Sequence, residues 1–229
     1  QSPDATVGEF CDQHFISKTS HGMPYQAVGN LRLFFPGHEN FSDYYRELDL
    51  EDATVSSSYK VNEVTCQTRV FASFPDQVIV GRITADKAAA LHFSVTMESF
   101  PGTELSAEGA DQLVLCGTTS DFEGVKGAVK YCARIRIVTK GGSVTASDSV
   151  LTVKGADTAT VYVSMATNFV KYNDLGGNAH EKSAAYLDRA LQKSYDGILK
   201  DHREDYRKYF DRVHLDLGTT RAANRPTDE

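Results

Sequence analysis

No strictly apolar run in this 229-residue chain exceeds four residues, with Ala88–Leu91 and Leu113–Cys116 among the longest. A membrane-spanning helix needs about 20 apolar residues and a signal-peptide core about 7–15, so neither is expected and no membrane partner is expected. Positive charge is also in deficit: 24 Lys and Arg face 31 Asp and Glu, a net charge of −7. That sign argues against a phosphate backbone, and nucleic acid is not expected as a partner. There is no Cys-x-x-Cys, no His-x-x-x-His, no His-Glu-x-x-His, no P-loop, no dinucleotide glycine fingerprint and no nucleophile elbow. Without these spacings no metal and no cofactor are expected. Apolar residues nevertheless make up 41% of the chain, enough for a folded core.

The four cysteines stand at 11, 66, 116 and 132. A core of this size does not depend on a disulfide framework. Cys66 lies in a period-two register with Val64, Val70, Ala72 and Phe74 and reads as a small buried hydrophobe. Cys116 and Cys132 would face each other across two strands if the segment around Gly124 is a hairpin loop. A free pair is the expectation, because cross-strand geometry often fails a bridge.

From about residue 25 to 167 apolar residues recur at every second position, the period of half-buried strands. Leu91, Phe93, Val95 and Met97 share one face; Tyr131, Ala133, Ile135 and Ile137 share another, opposite Lys130, Cys132, Arg134 and Arg136. Ala159, Val161, Val163 and Met165 repeat the pattern, opposite Thr158, Thr160, Tyr162 and Ser164. Turn chemistry separates the runs, at Pro36-Gly37, Asn62-Glu63, Pro75-Asp76, Asp86-Lys87, Gly141-Gly142 and Gly155-Ala156-Asp157. About ten strands with short links predict a mainly β, large antiparallel β-sandwich of two layers. The patternless stretches 100–111 and 120–130 read as long loops.

After Asn168 the period lengthens to about 3.6. One helix near 180–193 presents Ala184, Leu187 and Leu191. A second, near 195–213 with Ser194 as its N-cap and Glu204 four residues ahead of Lys208, carries Ile198, Leu199, His202, Tyr206, Tyr209, Phe210 and Val213 on one stripe. That stripe needs a surface to pack on, and Tyr206, Tyr209 and Phe210 are expected to be unusually exposed and to form a domain interface. Val7, Phe10, Cys11, His14 and Phe15 suggest a short, marginal helix at the other end. The expected organisation is a remnant helix and lead-in loop over 1–24, a β-sandwich over 25–175, a helical linker over 176–218 and a polar tail over 219–229.

Chemistry is sparse. Glu47, Asp49 and Glu51 would line one face of a strand about 6.6 Å apart, near the carboxylate spacing of an inverting glycosidase, but a solvated acidic face gives the same pattern. His38-Glu39 alone would be a poor ligand pair, and His92 and His202 read as structural. The loop Gly22-Met23-Pro24-Tyr25-Gln26 with the preceding His21 holds side chains that stack on and hydrogen-bond to sugars, so His21, Tyr25 and Gln26 are the candidate substrate-side residues. The competing reading is a rigid approach to the first strand, with Pro24 fixing the turn and Met23 filling a gap. No catalytic residue is assigned.

The run from Gly22 to Glu51, with Met23-Pro24-Tyr25-Gln26, Gly29-Asn30-Leu31 and Tyr44-Tyr45-Arg46-Glu47-Leu48-Asp49-Leu50-Glu51, resembles the N-terminal domain of glycoside hydrolase family 95, the α-L-fucosidases. Arg69 to Val80, Thr84-Ala85-Asp86-Lys87, Ala166-Thr167-Asn168-Phe169 and Asp205-Tyr206 to Leu217-Gly218 continue the resemblance in order. It implies a sandwich that leads through helices into an (α/α)6 barrel holding the catalytic acid and the water-activating Asn and Asp of an inverting enzyme, none of which has a counterpart here. The implied reading is a non-catalytic N-terminal fragment that braces a missing barrel of the same polypeptide, in a periplasmic or extracellular protein acting on fucosylated glycans. The alternatives are a standalone glycan-binding sandwich, with a fucosylated oligosaccharide as ligand at the Gly22–Gln26 loop or the 100–130 loops, and a structural module without ligand. Glu63, Gly81 and Ala27 depart from the family pattern where Gly, Val and Pro are usual, each at a local cost in order.

Overall fold

A computed structural model describes residues 3–15, 23–98 and 100–226. Helix α1 (Pro3–His14) precedes twelve strands: β1 (Asn30–Phe34), β2 (Ser42–Asp49), β3 (Thr54–Val61), β4 (Val64–Ser73), β5 (Val78–Ala85), β6 (Leu91–Glu98), β7 (Glu104–Ala107), β8 (Gln112–Thr118), β9 (Lys130–Lys140), β10 (Ser143–Ser147), β11 (Val150–Ala156) and β12 (Thr158–Thr167). Helices α2 (Ala179–Leu191) and α3 (Tyr195–Phe210) and a 3₁₀ turn (Arg221–Asn224) follow. Every strand pair is antiparallel, in a small sheet ordered β1-β6-β11-β10 and a large one ordered β2-β3-β4-β5-β12-β9-β8-β7. Strand β7 lies in the stretch expected to be a loop. Its four residues are too few for an alternation to show. Among the described residues no helix is long and apolar enough to cross a membrane.

The predicted alternation builds the core between the sheets. Leu91, Phe93, Val95 and Met97 interlock with Tyr131, Ala133, Ile135, Ile137, Ala159, Val161 and Val163, and with Leu151 and Val153 from β11. The expected sandwich is therefore present, but it carries a third layer. Residues of β9 and β12 read as the wet face, Arg134, Thr160, Tyr162 and Ser164, are buried under α2 and α3. A second core of Phe71, Val78, Val80, Tyr162, Leu187, Ala190, Tyr195, Ile198 and Leu199 fills that interface.

The helices start where the caps specify. Asn178 Oδ1 accepts from Glu181 N–H, and Ser194 Oγ accepts from Gly197 N–H at 3.1 Å. Helix α2 turns Ala179, Ser183, Leu187 and Ala190 to the sheet, three of them small residues that allow close approach, and Ser164 Oγ donates to Ser183 O. Helix α3 stops at Phe210, short of the expected 213, and leaves Val213 exposed. Lys208 pairs with Asp205, while Glu204 pairs with Lys200 instead of Lys208.

At the β3–β4 hairpin Asn62 and Glu63 both take positive φ, 47° and 63°, the two-residue turn that matches strand twist and that Gly suits best. A Cβ on Gly81 would meet nothing nearer than Val70 Cγ2 at 3.7 Å, so a side chain fits there.

Candidate functional site

A polar cleft of about 600 Å³ opens at one end of the sandwich. The ends of β8 and β9, Cys116 to Thr118 and Lys130 to Cys132, form its floor, with Gly102 and Glu104 on one wall and Gly176 to His180 on the other. Cys116 and Cys132 are directly opposed in the β8–β9 register, 4.2 Å apart at Cα, and are joined in a disulfide. The expectation of a free pair is corrected here. Direct opposition at the close antiparallel spacing sets the two thiols side by side, a register that alternation alone does not fix. Cys66 is buried and free, beside Tyr59, as expected for a small hydrophobe; burial pushes its thiol pKa up.

Two side chains assemble the rim. Asn168, buried, donates from Nδ2 to Ala128 O and Leu175 O and accepts at Oδ1 from Lys130 N–H. It thereby ties the 119–129 loop and the 169–177 loop to β9. Gln26 Oε1 accepts from Ser120 N–H at 2.9 Å, and its Nε2 donates to Tyr131 Oη at 3.3 Å. The phenol of Tyr131 fits because residue 117 is glycine: a Cβ there would lie 2.7 Å from Tyr131 Oη. Under α2, buried Arg134 pairs with Glu108 and donates to His180, and the guanidinium holds the Glu108 carboxyl below its usual range.

The candidates from the sequence are thus dispersed. His21 lies outside the described residues. Gln26 is committed to the loop clamp, and Tyr25 beside it is 98% exposed. Tyr206 is half-buried and donates to Leu50 O at 2.7 Å, Phe210 stacks on it, and Tyr209 is 64% exposed. The acidic row is not a carboxylate pair: Glu47 accepts from Tyr45 Oη, and Asp49 caps the turn that contains Glu51 and Asp52. His38 bonds Tyr59 Oη at 2.9 Å, and His202 Nε2 donates to Asp52 O and Ala53 O. Both hold chain crossings together. Asn168 and Arg134 escaped the sequence reading, since neither belongs to a spacing that identifies a site.

Chemically the cleft has one carboxylate among its described lining residues, Glu104, whereas glycoside hydrolysis of either stereochemistry uses two. Among the described residues no group of three or more His, Cys, Asp or Glu could hold a metal ion. The described lining residues offer hydrogen-bonding groups and an open polar surface.

The family model for the glycosyl hydrolase family 65, N-terminal domain, matches residues 5–172. The chain is 30% identical over 221 residues to Alpha-L-fucosidase 2 of Arabidopsis thaliana, covering 84% of this chain and 26% of that protein. It is 26% identical over 220 residues to Probable alpha-fucosidase A of Aspergillus niger, covering 90% of this chain and 27% of that one. The chain spans about a quarter of the length of the curated relatives it matches. Among solved structures, "Putative kojibiose phosphorylase from human microbiome" shares the fold at a TM-score of 0.55 and 13% identity, over 81% of this chain and 28% of that one.

Proposed function

Because this chain belongs to the family of glycosyl hydrolase family 65 N-terminal domains, we propose that it is the non-catalytic sandwich of an α-L-fucosidase-like protein acting on fucosylated glycans. In this reading it is a fragment that braces an (α/α)6 barrel of the same polypeptide. The observation that carries the reading is the 30% identity to Alpha-L-fucosidase 2 over most of this chain and only about a quarter of that relative. The exposed aromatic end of α3, Tyr209 and Phe210 beside Tyr206, supports a docking face for that barrel. The Cys116–Cys132 disulfide supports a periplasmic or extracellular site, where such bonds persist.

Release of fucose from a 2′-fucosylated glycan tests the reading. The 229-residue chain is expected to give none above background, while a longer natural polypeptide that carries it does so. Turnover by the 229 residues alone would overturn the reading.

The cleft and the exposed Tyr25 next to its Gln26 clamp favour a second reading, a glycan-binding sandwich. Saturable binding of a fucosylated oligosaccharide, lost in Tyr25→Ala, would establish it in place of the first.

A further inference from the structure

The outer face of the large sheet bears α2 and α3, while its inner face packs on the small sheet. Phe71 lies on the outer face against Tyr195, so Arg69 and Gln67, two and four residues earlier on β4, point the same way. Directly paired residues of an antiparallel sheet share a face, and two outer rows therefore cross β2, β3, β4, β5 and β12. The first is Glu47, Ser56, Arg69, Arg82 and Thr160; the second is Tyr45, Ser58, Gln67, Thr84 and Thr158. No aliphatic side chain interrupts them. Helix α3 runs beside them, from Tyr195 against Arg82 on β5 to Tyr206 on Leu50 O beyond β2. At about 4.8 Å per strand the two rows make a polar trough about 19 Å long, walled on one side by a helix about 10 Å thick.

The centre of the trough is cationic. Arg69 and Arg82 stand directly opposite each other, a like-charge pair that costs stability unless an anion is shared between them. The Arg82 guanidinium lies 3.5 Å over the Tyr195 ring, and its Nε donates to Thr160 Oγ1 at 3.4 Å. Its terminal amino groups, like the exposed fork of Arg69, meet no acceptor among the described residues. Burial pushes the Tyr195 phenol pKa up, and the charges of Arg69, Arg82 and Arg203 pull it back, so three guanidiniums surround that ring. The acids nearby have other attachments. Glu47 accepts from Tyr45 Oη, Asp52 is shared by Arg203 and Arg207, and Asp196 stands in the first turn of α3, where the helix N-terminus favours it.

We propose that this trough binds an acidic oligosaccharide, a uronate-bearing chain whose carboxylate is gripped by Arg69 and Arg82 while Ser58, Gln67 and Thr84 bond its hydroxyls and Tyr45 stacks on a ring. The planar fork of a guanidinium matches the two oxygens of a carboxylate, and a carboxylate placed between the two arginines cancels their repulsion. The neighbouring row argues for a sugar over an acidic peptide. Hydroxyl and amide side chains both donate and accept, as ring hydroxyls do, and the rows hold no apolar pocket for the anchor side chain of a protein partner. Tyr45, 58% exposed at the β2 end, offers a ring face. The trough lies at the start of β12, and the cleft lies beyond its end at Asn168. The proposal therefore rests neither on the bracing function nor on sugar binding at Tyr25.

Isothermal titration calorimetry of the 229-residue chain with trigalacturonate at low ionic strength tests it. Saturable binding is expected, weakened at least about 10-fold by methyl esterification of the sugar, which removes only its charge, and at least about 10-fold by Arg69→Gln. Arg69→Lys should fall between the two. Added salt should weaken binding to the wild-type chain. Because Arg69 is exposed, Arg69→Gln should fold, and relief of the arginine pair should raise its melting temperature at low ionic strength but not at high. Absence of saturable binding, equal binding of the methyl ester, or undiminished binding by Arg69→Gln would overturn the proposal. Tighter binding of a sulfated trisaccharide or of hexaglutamate would overturn it in favour of a sulfated glycan or an acidic peptide. Loss of trigalacturonate binding in a longer natural polypeptide would overturn it in favour of a contact between domains.

Discussion

The two faces of the large sheet are built from the same strands and end in opposite conditions. On the outer face Phe71, Val80 and Tyr162 form one row and Ser73, Val78 and Ser164 another, and every one of these six residues is buried. On the inner face the neighbouring rows fade to exposed Leu48 and Ala72. The difference lies in what the chain supplies. Helices α2 and α3 follow β12 directly and lie across the outer face, held by Lys193 between Asp76 and Asp201 and by the Arg82 guanidinium 3.5 Å over the Tyr195 ring. Among the described residues the small sheet has four strands for the inner face of eight. A sheet face is thus finished by its cover as much as by its own residues.

Ile198→Ala, in the filled outer core, should cost about 3–4 kcal/mol in urea unfolding, and Leu48→Ala on the bare inner face well under about 0.5 kcal/mol. Equal costs would erase the contrast. Removing the disulfide with Cys116→Ser and Cys132→Ser should cost about 2–4 kcal/mol, read the same way, because it frees the loop that the outer-face Cys132 closes.

Tyr59 marks where the inner face is still covered. Burial pushes its phenol up to about 12 from 10.0. The unfolded chain therefore ionises first. Stability held below pH 10 should be lost as pH rises toward 12, and Tyr59→Phe should flatten that loss in alkaline melting curves. A modest gain is expected at the hairpin between β3 and β4. Glu63→Gly should stabilise by about 0.5–1 kcal/mol, since residue 63 has φ 63° and its pairing with Lys60 is solvent-exposed. A loss there would mean that the turn is held by contacts other than its backbone.

Much of the inner core was legible from alternation: the four apolar positions of β6 are all buried as the period of two requires. The outer core was not. Thr160, Ser164 and Arg134 are polar and occupy the alternate positions, so the pattern marks them as wet; only the cover of α2, and partners such as Ser183 O for Ser164, make their burial tolerable. The aromatic stripe of α3 announced that the helix needs a surface without saying which. At the cleft, the period of two gives each cysteine its face but not the register between β8 and β9, and so could not reveal the disulfide. Gln26 was visible as a polar loop residue, while its role as a clamp depends on Ser120 and Tyr131, about 100 residues away in sequence.

Hydroxyl-radical footprinting of the 229-residue chain tests the contrast between the faces most directly. The account predicts heavy modification of Leu48, Phe74 and Met165 and protection of Phe71, Leu187 and Ile198. Protection of Leu48 and Phe74 equal to that of Phe71 and Ile198 would contradict it.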